Sequence, residues 1–347
     1  MRAAIFNGPR RVEVGDLPDP VITVPTDVIV RVVLACVCGS YLWDYRGESE
    51  RTQGPIGHEF IGVVEQLGAD VQTLSEGDLV IAPFSFSDGT CPHCLAGWQP
   101  SCVQGGAFGE GGIAGGQGER VRVPLADGTL VKVPGTGHSD ATLRSLVTLS
   151  DVMATGHHAV VSAGVRPGVT VAVVGDGAVG LCAVLAAKRL GAGRIIALSR
   201  NPARQSLART FGATDIVPER GDAATEAVLA LTDGLGVDAA AECVGTAEAM
   251  KTAFTSTRPG SMVGFVGIPH GVKLSVGHMF GTNIGLKGGV APVRRYLPVL
   301  LDDVLAGRIN PGLVFDFETN LDGIAEAYAA MDERRAIKSL LRVESRS

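Results

Sequence analysis

Residues 169–187 read VTVAVVGDGAVGLCAVLAA, and this stretch decides the fold. A valine-rich run of strand length ends in Gly175-Asp176-Gly177, and a run of small apolar residues follows. Asp176 is its only charge, so hydropathy alone would suggest a membrane helix. Glycines in the middle would weaken a spanning helix, and the apolar run before them is too short to span. We therefore predict a strand, a tight turn and a helix.

The same alternation continues along the chain. RIIALS (194–199) is followed by ARQSLARTFG (203–212), and VDAAAEC (237–243) by TAEAMKTAF (246–254). Repeated strand and helix patterns predict a parallel sheet covered by helices on both faces. The fold class is therefore α/β, with a doubly wound parallel-sheet domain.

The regions on either side of this domain have a different pattern. Up to about residue 145, short strand patterns alternate with Gly/Pro turns, which predicts a β-rich first domain. The tail after residue 290 reads as two helices and a last strand that return to the first domain. A length of 347 residues is typical of two domains.

Composition excludes several classes of protein. Thirty lysines and arginines against 36 acids give 30 − 36 = −6, with no block of like charge, so we expect no nucleic-acid partner. The first residues, MRAAIFNGPRRVEV, show no signal-peptide pattern, and we expect a cytoplasmic protein with no membrane partner. In a reducing compartment, clustered cysteines are more often metal ligands or catalytic groups than disulfides.

Residues 175–180, GDGAVG, fit the dinucleotide-binding pattern GxGxxG at a strand-to-helix turn. Gly175 permits the tight turn, Gly177 lets the backbone approach a pyrophosphate, and Gly180 allows close packing of helix and strand. The helix start at Ala178 and Val179 would attract phosphate charge. A structural glycine turn is the alternative, but the strand and helix units that follow favour a dinucleotide site.

The end of the second strand separates NAD from NADP, because an acid there bonds the ribose 2′-hydroxyl. This chain has Ser199 and Arg200 instead, with Arg204 one helical turn later. A hydroxyl and guanidinium groups suit a 2′-phosphate, so we predict NADP(H). The alternative is that these arginines form a solvated surface.

A cysteine-rich segment predicts a structural zinc site. Asp88, Cys91, Cys94 and Cys102 have the spacing D-x2-C-x2-C-x7-C, and four protein ligands with no open position suit structural zinc. His93 is a spare candidate if Asp88 does not reach. Three unconnected buried thiols are the alternative.

Cys38, His58 and Glu59 flank glycines. On spacing alone, a histidine beside a glutamate is more often a satisfied polar pair near the core than a metal ligand. Taken together, however, CGS (38–40), GHEFIGVVEQLGADV (57–71), the cysteine-rich segment and DVMATG (151–156) resemble the zinc-containing medium-chain alcohol dehydrogenases along almost the whole chain. The Asp at position 151 and the Ser-Arg pair are similar to the NADP-using secondary-alcohol branch.

The resemblance implies a GroES-like catalytic domain of residues 1–148 and 289–347, with a zinc lobe at about 85–105. It implies a Rossmann NADP-binding domain of residues 149–288. It places a catalytic zinc on Cys38, His58 and Asp151, with Glu59 coordinating in some states. This zinc would act as a Lewis acid on an alcohol, with Ser40 accepting the proton before hydride transfer.

The resemblance also suggests further contacts. It implies cofactor contacts from the end of two strands, from a helix and from the tail: Val244, Gly245, Val266, Gly267, Ile268, Thr155 and Lys338. It suggests a homo-oligomer, a dimer or tetramer, with the valine-rich stretch 261–267 compatible with sheet extension between subunits. Aromatic side chains are expected to line the substrate site: Tyr41, Trp43, Phe84 and Phe108, with core packing as the alternative for the two phenylalanines.

Three positions depart from the family. Asp88 stands where the lobe usually has Cys, and a carboxylate is still a competent zinc ligand. Tyr41 stands where the family usually has an Asp that bonds the zinc-ligating His, and Asp44 is a candidate substitute. Trp43 stands where many relatives carry a proton-relay His. A polyol or sugar dehydrogenase, and a catalytically weak NADPH-binding sensor or structural protein, are the alternatives to an alcohol dehydrogenase.

Overall fold

The computed structural model describes residues 1–110 and 113–343, and the chain divides into two compact units. One unit is Met1–Asp151 together with the chain from Pro292 onward, and the other is Val152–Ala291. Both boundaries lie three residues later than in the sequence analysis. Phe84 N donates to Ser150 O at 3.1 Å, which ties residue 150 to the first unit, and Gly289 N donates to Phe265 O at 2.8 Å, which ties residue 289 to the second.

The strands of the described residues, in chain order, are β1 (Arg2–Phe6), β2 (Val12–Asp16), β3 (Val28–Cys36), β4 (Gly54–Pro55), β5 (Phe60–Leu67), β6 (Leu79–Ala82), β7 (Ser85–Phe86), β8 (Gly106–Ala107), β9 (Arg120–Val123), β10 (Val131–Lys132), β11 (Thr170–Val174), β12 (Arg194–Leu198), β13 (Asp215–Val217), β14 (Val237–Glu242), β15 (Thr257–Phe265), β16 (Gly285–Gly288), β17 (Phe315–Asn320) and β18 (Lys338–Arg342).

The α-helices are α1 (Tyr41–Arg46), α2 (Pro92–Leu95), α3 (Ala126–Thr129), α4 (Asp140–Thr148), α5 (Val152–Ser162), α6 (Ala178–Arg189), α7 (Pro202–Phe211), α8 (Gly221–Ala230), α9 (Ala247–Ser256), α10 (Val276–Thr282), α11 (Val293–Leu305) and α12 (Ile324–Asp332). Short 3-10 helices lie at Gln99–Ser101, Pro311–Val314 and Leu321–Gly323.

The first unit is built around a sheet in the order β10-β6-β5-β3-β18-β17, with β9 also paired to β3. Strand β18 comes from the tail and pairs antiparallel with β3, so the tail does return to the first domain. Strand β17, parallel to β18, was not predicted. A sheet β2-β1-β4 and the hairpin β7-β8 complete the unit.

The second unit contains a parallel sheet in the order β13-β12-β11-β14-β15-β16. This is the strand order of the doubly wound dinucleotide-binding fold, in which ligands bind beyond the carboxyl ends of the strands. Residues 169–187 form β11, a turn and α6, as predicted. Across residues 1–110 and 113–343, no helix is both long and apolar enough to cross a membrane.

Two expectations about placement are wrong. Phe108 is fully buried in the core of the first unit, with its ring centroid 5.1 Å from Phe60 and 5.8 Å from Phe86, so it cannot line a substrate site. The stretch 261–267 overlaps β15, which is paired on both sides by β14 and β16. The edges of that sheet are β13 and β16, so sheet extension would have to use one of these strands.

Candidate metal centres and nucleotide site

Strand pairing brings the predicted catalytic ligands together. Cys38 follows the end of β3, and His58 and Glu59 directly precede β5, the antiparallel neighbour of β3. Asp151 directly precedes α5. One ligand atom from each of these four residues lies within 4.8 Å of the other three.

The Asp151 carboxylate lies close to two of the other ligand atoms. Asp151 Oδ2 lies 3.4 Å from His58 Nε2 and 3.5 Å from Cys38 Sγ. A sulfur, a ring nitrogen and a carboxylate oxygen are zinc ligands in proteins, and three protein ligands leave a fourth position for substrate.

The chemistry of the donors fits a metal cation. His58 Nε2 and Glu59 Oε1 are buried and have no hydrogen-bond partner among the described residues. Burial raises the pKa of the Cys38 thiol, and the carboxylates of Glu59 and Asp151 raise it further. A nearby cation would stabilise the thiolate, so these residues fit a zinc ion.

Lys338 pairs with Glu59 and not with a cofactor phosphate. Its side chain is 1% exposed, and its ammonium lies 2.5 Å from Glu59 Oε2 and donates to Val37 O at 3.0 Å. Glu59 Oε2 also accepts from Cys36 Sγ at 2.5 Å. The expected contact of Lys338 with a cofactor phosphate is therefore wrong, because this cation is enclosed beside the metal cluster and paired there.

Ser40 lies beside the Cys38 sulfur. Its hydroxyl donates to Cys38 Sγ at 3.2 Å, and its backbone N–H lies 3.5 Å from the same atom. Hydrogen bonds to a ligating thiolate spread its charge and so tune the metal it binds.

Tyr41 supports His58 by packing. The two ring centroids are 4.8 Å apart, and the Tyr41 oxygen accepts the N–H of Gly57, the residue before His58, at 3.2 Å. Asp44 does not replace the family's Asp, because its carboxylate accepts from Ser49 Oγ at 2.5 Å and lies 3.4 Å from Arg51 Nη1.

Phe84 lies next to His58, and Trp43 is on the helix that follows Cys38. The Phe84 ring centroid lies 6.0 Å from that of His58, which fits the expected place in a substrate site. Trp43 lies on α1 and is half-buried.

The predicted lobe also brings its ligands together. One atom each from Asp88, Cys91, Cys94 and Cys102 lies within 4.8 Å of the others, whereas His93 is exposed and outside the group. Asp88 Oδ1 accepts the N–H of Cys91 at 2.9 Å, and this backbone hydrogen bond is the largest cause that lowers the Asp88 pKa. Burial raises the pKa of Cys94 to about 12. An ionised carboxylate among three thiols fits a structural zinc ion.

The glycine turn has the shape that a dinucleotide needs. Gly175 has φ +121°, which favours glycine, and a Cβ on Gly180 would overlap the Gly175 carbonyl oxygen. A Cβ on Gly177 would meet open space, so this position leaves room for a group to approach the backbone. No described side chain caps the start of α6 at Ala178 and Val179. Anionic groups bind at such helix starts.

The remaining predicted cofactor residues of the second unit lie on loops and on one helix. Val244 and Gly245 follow β14, and Val266–Ile268 follow β15, so both turns lie at the carboxyl edge of the sheet. A Cβ on Gly245 or Gly267 would overlap the other turn. Thr155 lies in the first turn of α5.

Two of the three predicted phosphate-binding residues contact Asp176. The Ser199 hydroxyl donates to Asp176 Oδ2 at 2.9 Å, and Arg204 Nη1 lies 3.7 Å from Asp176 Oδ1. Arg200 is exposed. The sequence analysis missed Asp176, although its charge within an apolar run was a visible signal.

A doubly wound dinucleotide fold, a zinc-type ligand cluster and a four-ligand lobe in one chain together define a class, the zinc-containing dehydrogenases. Family comparisons agree with this class. The alcohol dehydrogenase GroES-like domain matches residues 24–135, and the zinc-binding dehydrogenase family matches residues 178–303.

Individual relatives match along the whole chain. A probable zinc-binding alcohol dehydrogenase of Mycobacterium tuberculosis is 35% identical, over 100% of this chain and 90% of its own length. Zinc-type alcohol dehydrogenase B of Aspergillus flavus is 32% identical, over 99% of this chain and 81% of its own length. The structure of alcohol dehydrogenase TADH from Thermus sp. ATN1 superposes with a TM-score of 0.91 at 33% identity, over 99% of this chain and 100% of that one. The chain belongs to the zinc-containing medium-chain alcohol dehydrogenases.

Proposed function

We propose that the protein interconverts secondary alcohols and ketones by hydride transfer with NADP(H). The observation that carries this proposal is the convergence of Cys38 Sγ, His58 Nε2 and Asp151 Oδ2, in which the buried histidine nitrogen has no hydrogen-bond partner among the described residues. Three ligands with a free fourth position suit Lewis-acid chemistry, whereas the closed lobe suits a structural role.

The zinc, when bound, supplies polarisation of the substrate oxygen, and the nicotinamide supplies or accepts the hydride. Cys38 and Asp151 supply two negative charges that balance a divalent cation, and His58 adds a neutral nitrogen. The Ser40 oxygen, 3.2 Å from Cys38 Sγ, accepts the proton that the alcohol loses, while the Ser40 hydroxyl passes its own proton on to solvent. Phe84 gives the His58 side of the site an apolar wall.

Preference for NADP(H) is supported by the end of β12. No acid follows this strand, and Ser199 and Arg200 occupy the positions that face a ribose 2′ group in this fold. A guanidinium group there binds a phosphate by paired, charge-assisted hydrogen bonds.

We further propose a homo-oligomer, a dimer or tetramer, that works in the cytoplasm on small-molecule substrates. None of the seven cysteines, all of which lie in the described residues, forms a disulfide, which suits a reducing compartment. Near the edge strand β16, Val276, Phe280 and Val290 are 71%, 87% and 64% exposed. Apolar side chains beside an unpaired strand edge are typical of a surface that another subunit covers.

The test is NADPH consumption by the purified zinc-loaded protein with a panel of ketones, aldehydes and keto sugars. We expect turnover with simple ketones and its loss in Asp151→Ala. Faster turnover of keto sugars than of ketones would indicate a polyol dehydrogenase. Tight NADPH binding with no turnover of any carbonyl compound would contradict an enzymatic role and favour a sensor.

A further inference from the structure

A buried carboxylate lies beside the residues that the sequence assigns to the ribose 2′ group. Asp176 is the second residue of the glycine turn, and its side chain is 10% exposed. Its Oδ2 accepts the Ser199 hydroxyl at 2.9 Å. Ser199 directly follows β12, the position where other dinucleotide folds place the acid that bonds a ribose hydroxyl. The acid missing from the end of the strand is thus supplied by the neighbouring turn.

The same carboxylate holds Arg204. Arg204 Nη1 lies 3.7 Å from Asp176 Oδ1 and donates to the Asp176 carbonyl oxygen at 3.0 Å. The Arg204 side chain is 6% exposed and lies in the first turn of α7, whose start is capped by the side chain of Asn201. The ion pair is therefore nearly enclosed, and its two charges offset each other.

The pair affects the two cofactors differently. A ribose 2′-hydroxyl can donate to a carboxylate and gains a charge-assisted hydrogen bond. A 2′-phosphate carries negative charge, so it meets repulsion from Asp176 and competes with Asp176 for Arg204. Arg200 at the exposed end of β12 still attracts a phosphate.

We propose that Asp176 is a specificity-determining residue that lets this site accept NAD(H) as well as NADP(H), by bonding the 2′-hydroxyl of one and opposing the 2′-phosphate of the other. This inference rests on the cofactor site of the proposed function. Asp176 differs from the acid usually found in this fold because it lies in the glycine turn and not at the end of the second strand.

The test measures dissociation constants of NADPH and NADH by cofactor fluorescence on the zinc-loaded protein, for the wild type and for Asp176→Asn. Removing the negative charge should tighten NADPH binding by about tenfold and leave NADH unchanged or weaker. Asp222→Asn is the matched control, because it removes an exposed carboxylate of the same unit, paired with Lys251 at 2.6 Å. It should leave the ratio of the two constants unchanged.

The remaining outcomes distinguish a failure of the role of Asp176 from a failure of the proposed function. If Asp176→Asn does not fold, Asp176→Ser makes the same change in charge and is expected to shift the ratio in the same direction. An unchanged ratio, or a shift toward NADH, would overturn the role of Asp176 while leaving the proposed function intact. A wild type that binds neither cofactor would overturn both.

Discussion

At the scale of single residues, the pair of Glu59 and Lys338 is the most enclosed charge interaction described. Both side chains are 1% exposed, and the carboxylate also accepts the Cys36 thiol. Burial lowers the pKa of Lys338, but the electrostatic interactions with Cys36 and Glu59 outweigh burial and raise the pKa, so the ammonium stays protonated. Breaking such a pair leaves one buried charge without compensation.

We expect Lys338→Met to destabilise the protein by about 3–5 kcal/mol. The measurement is thermal unfolding, with Lys251→Met as control, because that residue forms an exposed pair with Asp222 and should cost less than about 1 kcal/mol. The double variant Glu59→Gln/Lys338→Met should recover part of the loss. If Lys338→Met and Lys251→Met lowered the free energy of unfolding equally, the buried pair would contribute no more to stability than the exposed pair.

Tyr41 gives a second prediction at this scale. Tyr41→Phe keeps the ring against His58 and loses only the bond to Gly57 N, whereas Tyr41→Ala loses both. Loss of support for a ligating histidine typically costs about 10- to 100-fold in metal affinity. We expect Tyr41→Ala to release one zinc far faster to a chelator, and Tyr41→Phe to stay near the wild type.

The lobe serves as an internal control in this experiment. Its zinc should leave at the same rate in all three proteins, because Tyr41 does not contact it. Equal release from Tyr41→Ala and Tyr41→Phe would mean that the ring does not hold His58.

At the scale of elements, the glycine turn between β11 and α6 contains one glycine needed for folding, Gly180, and one expected to matter for cofactor binding, Gly177. Gly180→Ala forces an overlap with the Gly175 carbonyl, so it should lower the unfolding temperature. Gly177→Ala meets open space and has φ −75°, so it should fold normally. Its methyl group would occupy the side from which a pyrophosphate approaches, and NADPH should bind more weakly.

The two variants are compared by unfolding temperature and by the dissociation constant for NADPH. If Gly177→Ala bound NADPH as tightly as the wild type, the pyrophosphate could not lie against this turn.

Local patterns predicted the elements better than the contacts between them. The turn at 175–180, the parallel sheet and the four-ligand lobe follow from motifs with short spacing. The cluster of Cys38, His58 and Asp151 was predicted only from the family resemblance, because its ligands are far apart in the sequence. The pair of Lys338 and Glu59 depends on β18 pairing with β3, where Leu340 lies opposite Cys36, and no local pattern shows this register. The contact of Asp176 with Ser199 was not predicted, because the GxGxxG pattern leaves the residue at position 176 unspecified. Only the folded chain brings the Ser199 hydroxyl to this carboxylate.

At the scale of the whole molecule, the exposed apolar side chains near β16 give a prediction about assembly. If another subunit covers them, Phe280→Asp should lower the molar mass in solution, because a charge would be buried at the contact. Light scattering after size exclusion measures this mass. Val161→Asp, also at an exposed apolar position of the second unit but on α5, is the control. A wild type that is monomeric would contradict the proposal.

We propose that this chain holds two zinc ions, one in a three-ligand site and one in a closed lobe. The zinc content per chain of the purified protein, and of Cys38→Ser and Cys94→Ser, tests this proposal. We expect two zinc ions in the wild type and one in each variant, with NADPH consumption lost in Cys38→Ser. A single zinc in the wild type that only Cys94→Ser removes would contradict the catalytic site and leave a cofactor-binding protein.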